Sequence, residues 1–245
     1  MTKTILNKRK IKKKLIFQIF FSLFLLFLFF FISNKYIYDI IGSFSKNYDY
    51  LFKTVEIEGL NNLSSNEIEK YFIEYYDKSI FLLPLKNISY EIKKNKWVKL
   101  VSLKSNHNNK ITVTIEEVKP IGVYFNGTNY LLIDNFGEVI DFIDKKNIFQ
   151  YIVFFGENAR VNVVDLIIKI PLSLKSIIKE AEFINKRRWN IILKNNIKIK
   201  LPEKAINDAL LQFIEIYDNI SDQDKSIINS IDLRISKKAI IKFIE

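Results

Sequence analysis

The hydrophobic pattern opens with an apolar run from Leu15 to Ile32, broken only by Gln18 and Ser22. At about 1.5 Å per residue the run spans roughly 27 Å as a helix, close to the ~30 Å hydrocarbon thickness of a bilayer. It predicts one transmembrane helix at 15–32, with Lys14 and Lys35 snorkelling and Tyr36 and Tyr38 at the headgroups. Residues 33–51 have no clear period and read as a linker. Alternation then begins: Val55, Ile57 and Gly59 against Thr54, Glu56 and Glu58 predict a strand with one buried face. Ser64 and Glu67 form a capping box, and Ile68, Tyr71, Phe72 and Tyr75 follow at helical spacing. Leu85, Ile88 and Ile92 predict a second helix after Pro84, and Trp97 to Lys104 turns extended. Past an Asn-rich turn at 106–109, Ile111, Val113 and Ile115 alternate with Thr112, Thr114 and Glu116. The order is strand, helix, helix, strand, strand.

A second module follows. Tyr130–Ile133 and Val139–Phe142 bracket an Asp-Asn-Phe-Gly turn, and Tyr151–Phe155 is extended and apolar. Ile177, Ile178, Ala181 and Ile184 have helical spacing, while Trp189–Lys194 and Ile197–Leu201 predict a hairpin through Asn195-Asn196. Pro202 stands where a helix is expected to begin, with Ile206, Ala209, Leu210, Phe213, Ile214 and Tyr217 on one face. Ile231, Leu233 and Ile235 alternate with Asp232 and Arg234, and Ala239–Ile244 follows across a Ser236-Lys237-Lys238 turn. The whole predicts an α+β chain whose second module is dominated by an antiparallel sheet.

Charge orients this plan. Of 38 basic residues, seven (Lys3, Lys8, Arg9, Lys10, Lys12, Lys13, Lys14) precede the apolar run without one acid, leaving 31 against 27 acidic residues beyond it. The tail reads as a topology signal with affinity for anionic lipid, placing the N-terminus in the cytoplasm and the remainder outside. The mild balance elsewhere argues against a nucleic-acid surface, despite a net charge of +11. The first alanine is Ala159, so no A-x-A cleavage site follows the run, and an anchor is expected rather than a cleaved signal peptide. Zero cysteines leave stability to packing.

Several segments together carry a family likeness. Phe52-Lys53-Thr54-Val55-Glu56-Ile57-Glu58-Gly59, Ser64-x-x-Glu67-Ile68, Trp97-Val98 and Ile115-Glu116-Glu117-Val118-Lys119-Pro120 resemble the POTRA domain of the FtsQ/DivIB division proteins. Leu131 to Val139, Arg187-Arg188-Trp189-Asn190-Ile191-Ile192-Leu193, Leu201-Pro202-Glu203 and Ile231-Asp232-Leu233-Arg234 resemble that family's β domain, in its proteobacterial FtsQ form. Two departures are Lys96, where the family often has Pro, and Asn196, where a turn Gly is common. The resemblance implies a tail at 1–14, the transmembrane helix, the linker, a POTRA domain at 52–120 and a C-terminal β domain at 121–245. It implies an inner-membrane, single-pass protein of the division septum with a periplasmic domain, acting as a noncatalytic scaffold without cofactor or small-molecule substrate. In that family the last β-domain strands receive a segment of FtsB, which comes with FtsL. The matching positions here are Arg234, Ile235, Ala239 and Phe243, with Arg187 and Arg188 as candidates for acidic groups; Ile240 and Ile241 of the same closing strand are further candidates for backbone pairing. The pattern independently points there, because a closing strand at a sheet edge offers unpaired N–H and C=O groups for strand addition.

Candidate chemistry is sparse. His107 sits in a polar turn with no cysteine or second histidine to complete a zinc site. Asp134, Glu138, Asp141 and Asp144 are carboxylates of a kind that acid/base or metal chemistry uses, but strands and turns distribute charges this way routinely. No phosphate loop, G-x-S-x-G or H-E-x-x-H pattern is present, and Trp97 and Trp189 have apolar flanks that favour core packing. Two rival functions remain at this level. A POTRA-bearing assembly accessory usually has several POTRA repeats or a barrel; a membrane-anchored periplasmic enzyme needs a catalytic constellation.

Overall fold

The computed structural model describes residues 2–244, with side chains at 17–30 and 35–244; the basic side chains of the tail lie outside that range. Helix α1 (Thr2–Asn47) contains the apolar run and is long and apolar enough to cross a membrane. Its described side chains from Phe17 to Phe30 are exposed, as a lipid-facing surface requires. Residues 33–47, expected to be a linker, continue this helix. Among the described side chains there, only Ile41, Gly42 and Ser45 turn away from solvent, too few to imprint a helical period on the sequence.

Two compact units follow from the internal contacts: the chain up to Lys94 with Leu100–Glu116, and Asn95–Lys99 with the chain from Glu117 onward. In the first, β1 (Thr54–Glu58), α2 (Ser65–Glu69), α3 (Leu85–Lys93), β2 (Val98–Ser105) and β3 (Lys110–Glu117) occur in the expected order. The sheet order is β1-β3-β2, with β1 and β3 parallel because the two helices intervene. Ser64 and Glu67 form the expected capping box, but α2 lasts only five residues and passes into a 3-10 turn at Ile73–Tyr75. Phe52, Ile68, Phe72, Ile88, Ile92, Ile111, Val113 and Ile115 form its core. Val55 and Ile57 are only half-buried, since β1 is an edge strand. Gly59 ends β1 at φ +84°, where a Cβ would lie 2.0 Å from the Ile115 carbonyl oxygen.

The second unit is a nine-stranded sheet built from β4 (Gly122–Phe125), β5 (Tyr130–Ile133), β6 (Val139–Phe142), β7 (Val153–Phe155), β8 (Ile178–Ile184), β9 (Arg188–Leu193), β10 (Lys198–Lys200), β11 (Ile228–Asp232) and β12 (Ile240–Phe243). Its order is β12-β11-β10-β9-β8-β7-β4-β5-β6. Five of its eight pairings are antiparallel; β10–β11, β4–β7 and β7–β8 are parallel. Helices α4 (Ala159–Lys169) and α5 (Leu172–Lys175) fill the β7–β8 crossover, and α6 (Ile206–Asn219) with the short α7 (Asp222–Ser226) fills that of β10–β11, while β4 reaches β7 through β5, β6 and a 3-10 turn. Ala159, Val163 and Leu166 of α4 and Leu210 and Phe213 of α6 pack with Phe154, Trp189, Ile191 and Ile231 in the main core. A smaller core of Val123, Leu132, Ile140 and Val153 carries Trp97 at its edge.

Two expectations need correction here. Ile178–Ile184 is a strand rather than a helix: a register shift between Ile178 and Glu180 inserts a residue, so Ile178 and Ala181 are both buried although three apart. A bulge therefore reproduces helical spacing. The helix expected from Pro202 starts instead at Ile206, preceded by Ala205 at φ +58°.

Candidate protein-binding edge

Strand β12 ends the sheet, next to β11, pairing Ile231 with Ile241 and Asp232 with Ile240. The Ile244 N–H donates to the Ile227 carbonyl, 2.7 Å away. Antiparallel alternation then turns the N–H and C=O of Lys242 and Ile240 toward β11 and those of Ile241 and Phe243 toward the open side. Side-chain burial along the strand is uneven. Ile241 and Ala239 pack partly on the main core, whereas Ile240 and Phe243 are 48% and 55% exposed. Ile235, before the turn, is 54% exposed. The edge therefore combines outward backbone groups with exposed apolar side chains.

The arginines occupy different places. Arg234 leaves β11 and forks onto Asp232, its Nε 2.8 Å from Oδ1 and its terminal nitrogen on Oδ2. That hydrogen bond holds the Asp232 carboxyl below its usual range, against an opposing effect of burial. Arg187 is exposed in the β8–β9 turn behind Asn185 and Lys186, which both have positive φ. Arg188 opens β9, three strands in from the edge, half-buried with its Nε lacking a partner. Arg188 is two residues before Asn190, and Arg234 is two residues past Asp232; Asn190 and Asp232 both pair with Lys200 of β10, so β10 lies between the two arginine-bearing strands. Arg234 thus stands beside the edge, Arg188 lies inward of it on β9, and Arg187 stands off it in a turn.

Sequence reasoning passed over the row beside them. Ile240, Asp232, Lys200, Asn190 and Glu182 are successive cross-strand neighbours. Asn190 is 8% exposed, and its Oδ1 has no partner. Polar alternation of Arg188 with Asn190, Lys198 with Lys200 and Ser230 with Asp232 was the signal that marks this face.

The other candidates disperse. His107 is exposed in its turn at φ +59°. Asp134 accepts the N–H groups of Phe136 and Glu138, Glu138 faces Arg160, and Asp144 faces Lys146. Asp141 accepts the Trp97 indole N–H at 3.0 Å and the Phe142 N–H at 2.8 Å. Trp189, 3% exposed, packs against Phe183 and edge-on to Phe154.

With this geometry in place, residues 51–117 match the family model described as POTRA domain, FtsQ-type, and residues 123–234 match Cell division protein FtsQ/DivIB, C-terminal. Cell division protein FtsQ of Rickettsia typhi is 30% identical over 193 residues, 78% of this chain and 71% of that protein. The chain belongs to the FtsQ/DivIB family. The Agrobacterium fabrum relative, also named Cell division protein FtsQ, is 22% identical over 79% of this chain and 62% of its own length. Among solved structures, the major extracytoplasmic domain of DivIB from Geobacillus stearothermophilus aligns with a TM-score of 0.32 and 11% identity, covering 43% of this chain and 99% of its own. Membership gives the chain a place in cell division. The matched β-domain residues end at Arg234, so β12 lies just past them.

Proposed function

We propose that this family member is a noncatalytic, single-pass scaffold of the division septum, with its tail in the cytoplasm and both folded units in the periplasm. It recruits a small bitopic partner by strand addition at β12. The family resemblance makes that partner FtsB, which brings FtsL. The observation that carries the reading is the edge itself: outward N–H groups of Ile241 and Phe243 flanked by exposed Ile240 and Phe243 side chains. Backbone pairing supplies affinity, and Arg234 beside the edge favours acidic groups on the incoming strand. The basic tail beside an apolar helix supports that topology.

The test is titration of the full chain in nanodiscs with a peptide from the partner's periplasmic segment, against a chain ending at Ser236. Loss of at least tenfold in affinity on truncation, with the remaining sheet folded, is expected. Equal affinities would rule out strand addition here. Protease added to spheroplasts should leave only a tail-and-helix fragment; a mature chain starting after residue 32 would sink the anchor reading.

A further inference from the structure

Helix α1 does not stop at the membrane. Its last turns dock on the first unit: the buried Ser45 and Ser79 hydroxyls are 2.6 Å apart, Phe44 stacks on Tyr50, and Tyr50 tilts against Phe81. The Tyr50 N–H donates to the Ser45 carbonyl at 2.8 Å, so the chain turns back directly onto the helix end. This docking leaves a cleft of about 750 Å³ between the helix and the segment from Tyr75 to Pro84. Its apolar walls include Leu51, Leu82, Leu83 and Pro84, and Lys46, Lys78 and Asp77 also line it. Lys78 is held over the Tyr75 ring, 5.3 Å from its centroid.

Gly42 lines the same cleft from within the helix. Glycine inside a helix costs about 1 kcal/mol relative to alanine. Here a Cβ would meet nothing within 4 Å, and φ is not positive, so neither local packing nor backbone geometry requires glycine. The missing side chain keeps the cleft open to something outside the chain. Two lysines against one carboxylate make an acidic occupant favourable, and the walls call for apolar side chains beside the acids. Height decides the source of that occupant. Gly42 is ten residues past Ile32, about 15 Å up the helix, whereas a headgroup layer is only roughly 5–7 Å deep. Bilayer lipids do not reach it; the juxtamembrane segment of another membrane protein does. We infer that this cleft is a second docking site, taking a short peptide segment in which acidic and apolar residues adjoin. The height argument rests on the membrane span and topology proposed above; the cleft's chemistry does not.

The test uses the full chain in phosphatidylcholine nanodiscs and two fluorescent octapeptides, one alternating Glu with Leu and the other Lys with Leu. The acidic peptide is expected to bind at least tenfold more tightly. Gly42→Leu should fill the cleft and weaken binding at least tenfold while the melting temperature holds or rises. Lys46→Glu combined with Lys78→Glu should reverse the preference between peptides. Equal binding of the two peptides, or indifference to Gly42→Leu, overturns the inference. Displacement of the acidic peptide as phosphatidylglycerol is added would make the occupant a lipid and overturn it as well. Gly42→Cys, the sole thiol in the chain, separates this from the topology: an impermeant maleimide should label it in spheroplasts. Absence of that label would break the topology while leaving the nanodisc binding result standing.

Discussion

The two ends of the nine-stranded sheet meet the same hazard differently. At the β6 end, a register shift beside Leu132 and Ile133 bends the strand, and the Phe142 N–H is taken by the Asp141 carboxylate. Because the Ile143 N–H donates inward to Tyr130, alternation makes that Phe142 N–H the outward one. The edge caps itself with its own side chain. At the β12 end, the bulge falls on β11, and β12 itself runs on with outward groups at Ile241 and Phe243. Lysines 237, 238 and 242 discourage indiscriminate pairing there without blocking it. One sheet thus contains a closed edge and an open one, and the open one is the place to look for a partner.

The comparison is most severely tested by unfolding the open end. Ile231 is fully buried between β10 and β12, so Ile231→Asp should cost more than ~3 kcal/mol, whereas Ile240→Asp on the exposed side should stay within about 0.5 kcal/mol. Denaturation followed by tryptophan fluorescence reads this, and equal losses would mean that the β12 register is wrong. Next in size is the pair of prolines. Ile241→Pro removes an outward donor and should cut partner affinity at least tenfold with the fold intact; Ile240→Pro breaks the β11 pairing and should also lower stability. Similar behaviour of the two would contradict the assigned alternation. Asp141→Ala should open the closed end at a cost of about 1 kcal/mol, releasing the Phe142 N–H and the Trp97 indole. Sedimentation should then show more self-association than the wild type under the same conditions.

The smallest effect is electrostatic. The Asp232 carboxyl titrates below its unfolded value because Arg234 bonds to it. Its stabilisation is therefore complete above the unfolded carboxylate pKa and is lost as pH falls through the depressed folded one. Asp232→Asn should cost under about 1 kcal/mol at neutral pH, for a pair whose Arg234 side is 40% exposed, and the gap to wild type should close in acid. A gap that persists at pH 2 would assign Asp232 another role.

Much of this fold was legible because one-sided burial writes period two into the sequence. Ile111, Val113 and Ile115 show it, as do Ile231 and Leu233. Ile57 keeps the alternation of its strand, but its edge position leaves it half-buried, whereas Val113 in the central strand is fully buried. The β8 bulge disguised a strand as a helix, and α4 carries its buried side on only Ala159, Val163 and Leu166. The position of β12 beside β11 followed from a short turn, but the choice of open backbone groups depends on a hydrogen bond at Ile244 that no side chain announces. The Asn190 face was hidden differently, since polar alternation looks like solvent exposure until cross-strand neighbours bury it.

The parallel pairing of β10 with β11, made across α6 and α7, also sets a timetable. β4, β5 and β6 are joined by short turns and close within local loops, while β11 must wait for a long crossover before it has a neighbour. Pulse-labelled hydrogen exchange should find β5 protected before β11. The self-capped end is then in place while the sheet is still growing, and the open end appears only once growth is finished. A partner that reads this edge is checking that the protein beside it has completed folding.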